Sequence, residues 1–121
     1  MSNPARHHNI NYIEFASTDL ERTKKFYSSL FSWCFVDYGP DYVSFTAASA
    51  GIDGGFYKSG PLPAPAKTAP LIVLYSQDLK KTEAAILDAG GEIVVPTFEF
   101  PGGKRFNFSD GAGNILAVWS K

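Results

Sequence analysis

Phe15-Ala16-Ser17-Thr18-Asp19-Leu20-Glu21-Arg22-Thr23 returns further along the chain as Leu74-Tyr75-Ser76-Gln77-Asp78-Leu79-Lys80-Lys81-Thr82. Ser17, Asp19, Leu20 and Thr23 meet Ser76, Asp78, Leu79 and Thr82 at one constant offset. Each copy follows an apolar run and supplies hydroxyl and carboxylate oxygens that can cap the orphan amides of a helix start. A sequence written twice in this way implies two similar units, each too small to bury its apolar face alone, that complete a core together. Function is then expected in what the two units enclose.

Outward from the first copy, residues 10–16 alternate with the period of a strand, sending Ile13 and Phe15 to one face and Tyr12 and Glu14 to the other. The helix that follows can turn Leu20, Phe26, Tyr27 and Leu30 inward and leave Glu21, Arg22 and Lys25 in water. Residues 33–38, 42–46 and 52–57 read as short strands, broken by Gly39-Pro40-Asp41 and by a small-residue bend at 47–51. The first unit, about 8–57, is therefore β-α-β-β-β.

Residues 58–70 carry four prolines, which cannot donate to a ladder and favour an extended surface connector. A proline-rich ligand for another domain is the alternative, although flanking basic anchors are missing. The second unit, 71–120, repeats the order: a strand at 71–75, a helix at 78–89 with Leu79, Ala85, Ile86 and Leu87 inward, then strands at 92–95, 104–108 and 114–119. Gly90-Gly91 closes that helix, and Asp110-Gly111-Ala112-Gly113 forms the last turn, aspartate and glycine supplying left-handed positions. The fold class expected is α+β, two tandem βαβββ modules in a single domain over 1–121.

Composition narrows the partners. With 121 residues, 45% of them hydrophobic and 15% aromatic, the chain can pack one core. Eleven basic residues nearly balance twelve acidic ones without a basic run, so nucleic acid is not expected as a partner. No apolar run is long enough to cross a bilayer and residues 1–8 lack the apolar segment of an export signal, so no membrane partner and a cytoplasmic location are expected. Cys34 is the single cysteine, which excludes an intrachain disulfide and a multi-thiolate metal site. It reads as a small hydrophobe in a strand, with a reactive thiol as the alternative.

The run from Asp19 to Trp33, with its Phe26-Tyr27 pair, read with Asp110-Gly111-Ala112-Gly113-Asn114 and the doubling, resembles the vicinal oxygen chelate superfamily. That group includes glyoxalases, bleomycin-resistance proteins and extradiol dioxygenases, and the resemblance spans about residues 8–120. Among its members the chain looks most like small glyoxalase-like proteins with an extended Pro-Gly-Gly segment, here Pro101-Gly102-Gly103, before the seventh strand. The resemblance implies strands curving into a cup with helices outside and a ligand inside.

Catalytic members hold a divalent cation with histidines and glutamates on the first and last strand of each module. In this chain the resemblance maps those places to Tyr12, Leu71, Ala117 and the neighbourhood of Gly55. A cation needs three or four donors within about 2.0–2.3 Å, and glycine, leucine and alanine contribute none. No metal and no cofactor are therefore expected. Tyr12 as a lone phenolate is no substitute. His7 and His8 are adjacent, so on an extended chain their rings would point to opposite sides; a solvated lead-in is preferred to a ligand pair.

The candidates for contacting a small molecule are Tyr12, Glu14, Tyr57, Arg105, Asn107 and Trp119, because a few polar groups among aromatics give a pocket affinity and orientation. Tyr12 and Trp119 equally suit core filling. Glu14 suits an ion pair with Arg105 or Lys104, or proton transfer if the protein is an enzyme. No histidine accompanies Cys34 or a serine in a nucleophilic arrangement, and neither Gly54-Gly55 nor Gly102-Gly103 precedes a helix, so both glycine pairs are expected to serve bends rather than phosphate.

Three functions follow in order of preference: a metal-independent small-molecule-binding protein like the resistance members, a glyoxalase-related lyase or isomerase with a divergent site, and a non-catalytic association module. Exposed sheet edges and the connector favour a homodimer.

Overall fold

Asp19 and Asp78 each stand at the head of a helix and accept a hydrogen bond from the amide three residues on, Arg22 N and Lys81 N, both at 3.1 Å. Just ahead of each, a serine hydroxyl accepts from the aspartate amide and meets a threonine hydroxyl one turn into the helix. Ser17 Oγ lies 2.7 Å from Thr23 Oγ1, and Ser76 Oγ lies 2.7 Å from Thr82 Oγ1. The repeated letters are thus a repeated device: aspartate caps an orphan amide while serine ties the end of the strand to the helix.

The structure, a computed structural model, describes residues 3–63 and 69–121; the stretch 64–68 of the expected connector lies outside the described residues. The chain divides into two compact units, Met1–Leu62 and Pro63–Lys121. The first contains β1 (Tyr12–Ser17), α1 (Leu20–Phe31), β2 (Phe35–Asp37), β3 (Tyr42–Phe45), a single turn α2 (Ala47–Ala50) and β4 (Asp53–Lys58). The second contains β5 (Val73–Tyr75), α3 (Leu79–Asp88), β6 (Glu92–Phe100), β7 (Gly103–Ser109) and β8 (Ile115–Ser120). The sheet orders are β1-β4-β3-β2 and β5-β8-β7-β6, with the outer pairs β1·β4 and β5·β8 parallel. Both units therefore share one topology, and the expected tandem βαβββ architecture is observed.

In the first unit the core is an aromatic cluster under α1. Tyr27, fully buried, stacks on Trp33 at 4.8 Å, Trp33 meets Phe45 at 4.8 Å, and Phe15 stacks on Phe56 at 5.0 Å. Such pairs add about 0.5–1.5 kcal/mol each beyond burial of their area. Leu20 and Phe26 face inward as expected, whereas Leu30 is only half-buried and Thr23 takes an inward place instead. The second unit buries Ile86, Phe106, Phe108, Leu116 and Val118. Leu87, expected inward, is exposed, because adjacent helical positions lie about 100° apart and Ile86 already occupies the inner face.

Several boundaries differ from the sequence expectation. The bend at 47–51 is the helical turn α2, whose first amide, Ala47 N, donates to Asp53 Oδ1 at 2.7 Å. Strand β6 continues through Pro96 to Phe100, with register shifts between Ile93 and Val95 and between Val95 and Phe98. It is an edge strand, where irregular pairing tolerates a missing N–H. Cys34 lies exposed before β2 begins, so it is not a strand hydrophobe. In the last turn only Gly111 and Gly113 take positive φ (78° and 110°); Asp110 acts as acceptor, its Oδ1 taking Ala112 N at 2.8 Å and Asn114 N at 3.1 Å.

Candidate functional site

The register of the first sheet decides which side chains share its open face. Strand β1 sets Tyr12 beside Asp53, Glu14 beside Gly55 and Ala16 beside Tyr57, and β3 sets Tyr42 beside Tyr57 and Ser44 beside Gly55. Since paired residues point the same way, Tyr12, Glu14, Tyr42 and Tyr57 stand together on the face opposite the aromatic core. The Tyr42 hydroxyl donates to Glu14 Oε2 at 3.0 Å and shares a short hydrogen bond with the Tyr12 hydroxyl. Having one proton to give, Tyr42 must accept from Tyr12, so the chain runs Tyr12 to Tyr42 to Glu14. Burial, and after it the bonds to Tyr12 and Glu14, hold the Tyr42 phenol protonated well above its usual range. A depression of about 450 Å³ opens beside this chain, lined by Tyr12, Val36, Tyr38, Tyr42 and Ser44 among others.

Gly55 makes that arrangement possible. A Cβ there would overlap the Tyr42 hydroxyl and stand 2.6 Å from its Cζ, so the phenol occupies the space a side chain would take. Its neighbour Gly54 faces the other way, where a Cβ would run into the Ile13 carbonyl and the Phe45 ring. The pair lies within β4 and serves close approach rather than a bend. Gly102, at φ 112°, does serve a bend, whereas a Cβ on Gly103 would strike the Ser120 carbonyl.

In the second unit β7 places Arg105 beside Trp119 and Asn107 beside Ala117, while β5 places Val73 beside Ala117 and Tyr75 beside Trp119. The open face therefore carries Arg105, Asn107 and Trp119 together. Tyr75 meets Trp119 edge-on at 5.0 Å, and the Arg105 guanidinium lies 5.1 Å from the Phe98 ring centroid. Arg105 Nε and Asn107 Oδ1 are buried and have no hydrogen-bond partner among the described residues. Arg105 lines a depression of about 400 Å³ together with Val73, Phe100, Pro101, Gly102 and Trp119, and Asn107 lies two residues along the same face of β7.

The six candidates thus fall into two groups. Tyr12, Glu14 and Tyr57 share the open face of the first sheet; Arg105, Asn107 and Trp119 share that of the second. Glu14 takes its hydrogen bond from Tyr42, a residue the sequence reading passed over. Only the β3–β4 register, with tyrosine diagonal to glycine, could have marked Tyr42 beforehand. Phe98 and Phe100 lie beyond the strand that the sequence predicts at 92–95, on the continuation of β6 to Phe100.

At the four positions to which the resemblance maps a divalent cation, donor atoms are scarce. Of the mapped positions, Tyr12 offers a phenol already engaged with Tyr42, Gly55 lies beneath that phenol, Ala117 has no donor atom, and Leu71 precedes β5 and has none either. Among the described residues no three His, Cys, Asp or Glu side chains converge. His7 and His8 do not diverge as expected: their rings stack at 3.8 Å. The chain turns there, with His8 at φ 65° and Asn9 N bonded to Arg6 O at 3.0 Å, so the extended geometry does not apply.

The family model for the Glyoxalase/Bleomycin resistance protein/Dioxygenase superfamily matches residues 9–118. A curated relative, the provisionally assigned glyoxylase CFP32 of Mycobacterium bovis, is 26% identical over 115 residues, covering 90% of this chain and 44% of that protein. The chain therefore spans less than half the length of the curated relatives it matches. Among solved structures, the genomically encoded fosfomycin resistance protein FosX of Listeria monocytogenes superposes with a TM-score of 0.79 at 17% identity, covering 96% of this chain and 93% of that one. TioX of Micromonospora sp. ML1 does so with a TM-score of 0.67 at 16% identity, covering 93% and 98%. These two likenesses establish the fold.

Proposed function

From the premise that the chain belongs to the Glyoxalase/Bleomycin resistance protein/Dioxygenase superfamily, we propose that it is a metal-independent small-molecule-binding protein of the glyoxalase/bleomycin-resistance type. The observation that carries this reading is the buried Arg105 Nε, without a hydrogen-bond partner among the described residues, in the wall of an aromatic-lined depression, with Asn107 Oδ1, likewise buried and unpartnered among those residues, two positions along the same face. A buried polar group without a partner costs about 1–3 kcal/mol, a cost that a ligand supplying complementary atoms removes. Pockets that recognise small molecules combine a few such groups with apolar walls. The tyrosine chain over Gly55 supports the metal-independent part, since it occupies the region where the resemblance maps donors.

Among the described residues no helix is long and apolar enough to cross a membrane. The single, exposed Cys34 suits a reducing compartment, and the cytoplasm is the location we propose. A homodimer is proposed as well, on the strength of open sheet edges such as β6. Sedimentation at micromolar concentration checks it, with a mass near one chain as the contrary result.

The functional reading is tested by elemental analysis of purified protein and by thermal-shift screening of charged and neutral aromatic compounds, with and without a chelator. We expect substoichiometric metal and ligand-dependent stabilisation that chelation leaves unchanged. One cation per chain, with stabilisation lost on chelation, would overturn it.

A further inference from the structure

Arg105 and Asn107 lie two residues apart on the same face of β7 and ask for opposite things. A guanidinium is a permanent cation with donors only, and its buried Nε has no acceptor among the described residues. The Asn107 Oδ1 is an acceptor with no donor among them. Around them the surfaces are aromatic: Trp119 is the cross-strand neighbour of Arg105, Phe98 lies under the guanidinium, and Phe100 lines the same depression. At about 400 Å³ the depression suits a molecule of one or two rings.

We infer that this face of the second module takes a planar aromatic anion that also carries an N–H or O–H donor. The anionic oxygens sit at Arg105, the donor reaches Asn107 Oδ1, and the ring lies against Trp119. The inference rests on the ligand-binding reading above and adds the class of ligand. It follows from complementarity: an anion compensates a cation whose Nε is otherwise unsatisfied, and a ligand donor satisfies a carbonyl that water reaches poorly. A neutral apolar ligand would fill the volume and leave both atoms unsatisfied.

Three probes of similar shape separate the components. Indoleacetate has ring, anion and N–H; naphthylacetate lacks the donor; tryptophol lacks the anion. Calorimetric titration of the intact protein is expected to rank indoleacetate first and tryptophol at least tenfold weaker, the difference one charge-assisted hydrogen bond makes. R105Q is expected to abolish the preference for the anion, bringing indoleacetate to the affinity of tryptophol. N107A is expected to abolish the preference for indoleacetate over naphthylacetate while retaining the charge preference, and so gives an independent check if R105Q does not fold.

Equal affinity for indoleacetate and tryptophol overturns the inference, as does an unchanged ranking in R105Q or the absence of binding by all three probes. Failure here is distinguishable from failure of the broader reading. Stabilisation by neutral compounds without charge preference, unaffected by chelator, sinks the anion and spares metal-independent binding. A ranked anion preference that vanishes with chelator does the reverse.

Discussion

The Tyr42 phenol stands in the space that a side chain at Gly55 would fill, one strand away. G55A is therefore expected to push Tyr42 aside and break its bond to Glu14, costing about 1–3 kcal/mol by overpacking. The urea midpoint should fall, and the double variant G55A/Y42A should recover part of the loss. An unchanged midpoint in G55A would contradict the packing described.

Removing the Tyr42 hydroxyl has a signature in pH. Its folded-state pKa is raised above the ordinary 10.0, chiefly by burial. Below pH 10 both folded and unfolded chains hold the proton and this group adds no pH dependence. Above pH 10 the unfolded chain releases the proton first, so stability is lost as pH rises. Y42F should show a shallower decline in denaturation midpoint between pH 10 and the alkaline limit than the native protein. Parallel profiles would refute the assignment.

The two serine–threonine pairs have equal lengths but unequal burial. Ser17 and Thr23 are fully buried, whereas Ser76 and Thr82 are half-buried. T23V leaves the Ser17 hydroxyl short of a partner away from water and should cost about 1–2 kcal/mol. T82V should cost less, because solvent can replace the lost partner. Chemical denaturation of both variants measures the order, and a larger loss in T82V would reverse the argument.

Asp110 organises the last turn with one carboxylate. It accepts from two backbone amides and from the Asn114 side chain at 3.1 Å while only 1% exposed. D110A should destabilise the protein by about 3 kcal/mol, since several buried donors lose an anionic acceptor together. D110N, which keeps an acceptor, should lose less. Thermal melts of the pair decide this, and equal losses would show that charge and geometry contribute nothing separately.

The doubled topology was legible because its signal is local: aspartate, serine and threonine act within one turn of one another, so the spacing that a reader sees is the spacing that bonds. The face assignment on β1 follows from simple alternation. Tyr42 was hidden for the opposite reason. Its partners Tyr12 and Glu14 are 30 and 28 positions away, and only the sheet register brings them together. The extension of β6 beyond residue 95 is hidden in another manner, since Pro96 has no N–H to donate and sits in a ladder only because this is an edge strand with irregular pairing. For His7 and His8 an extended backbone is the sequence default, and the turn at His8 abolishes it. The mid-strand glycines read as bends in sequence because close approach across strands leaves no trace along one strand.

The serine–threonine ties lie where strand meets helix, remote in kind from the residues that differ between the open faces. Each unit can thus carry its own chemistry on its open face without altering how its helix is anchored. One face displays phenols and a carboxylate, the other a guanidinium and an indole, while both units keep the same strand-to-helix tie.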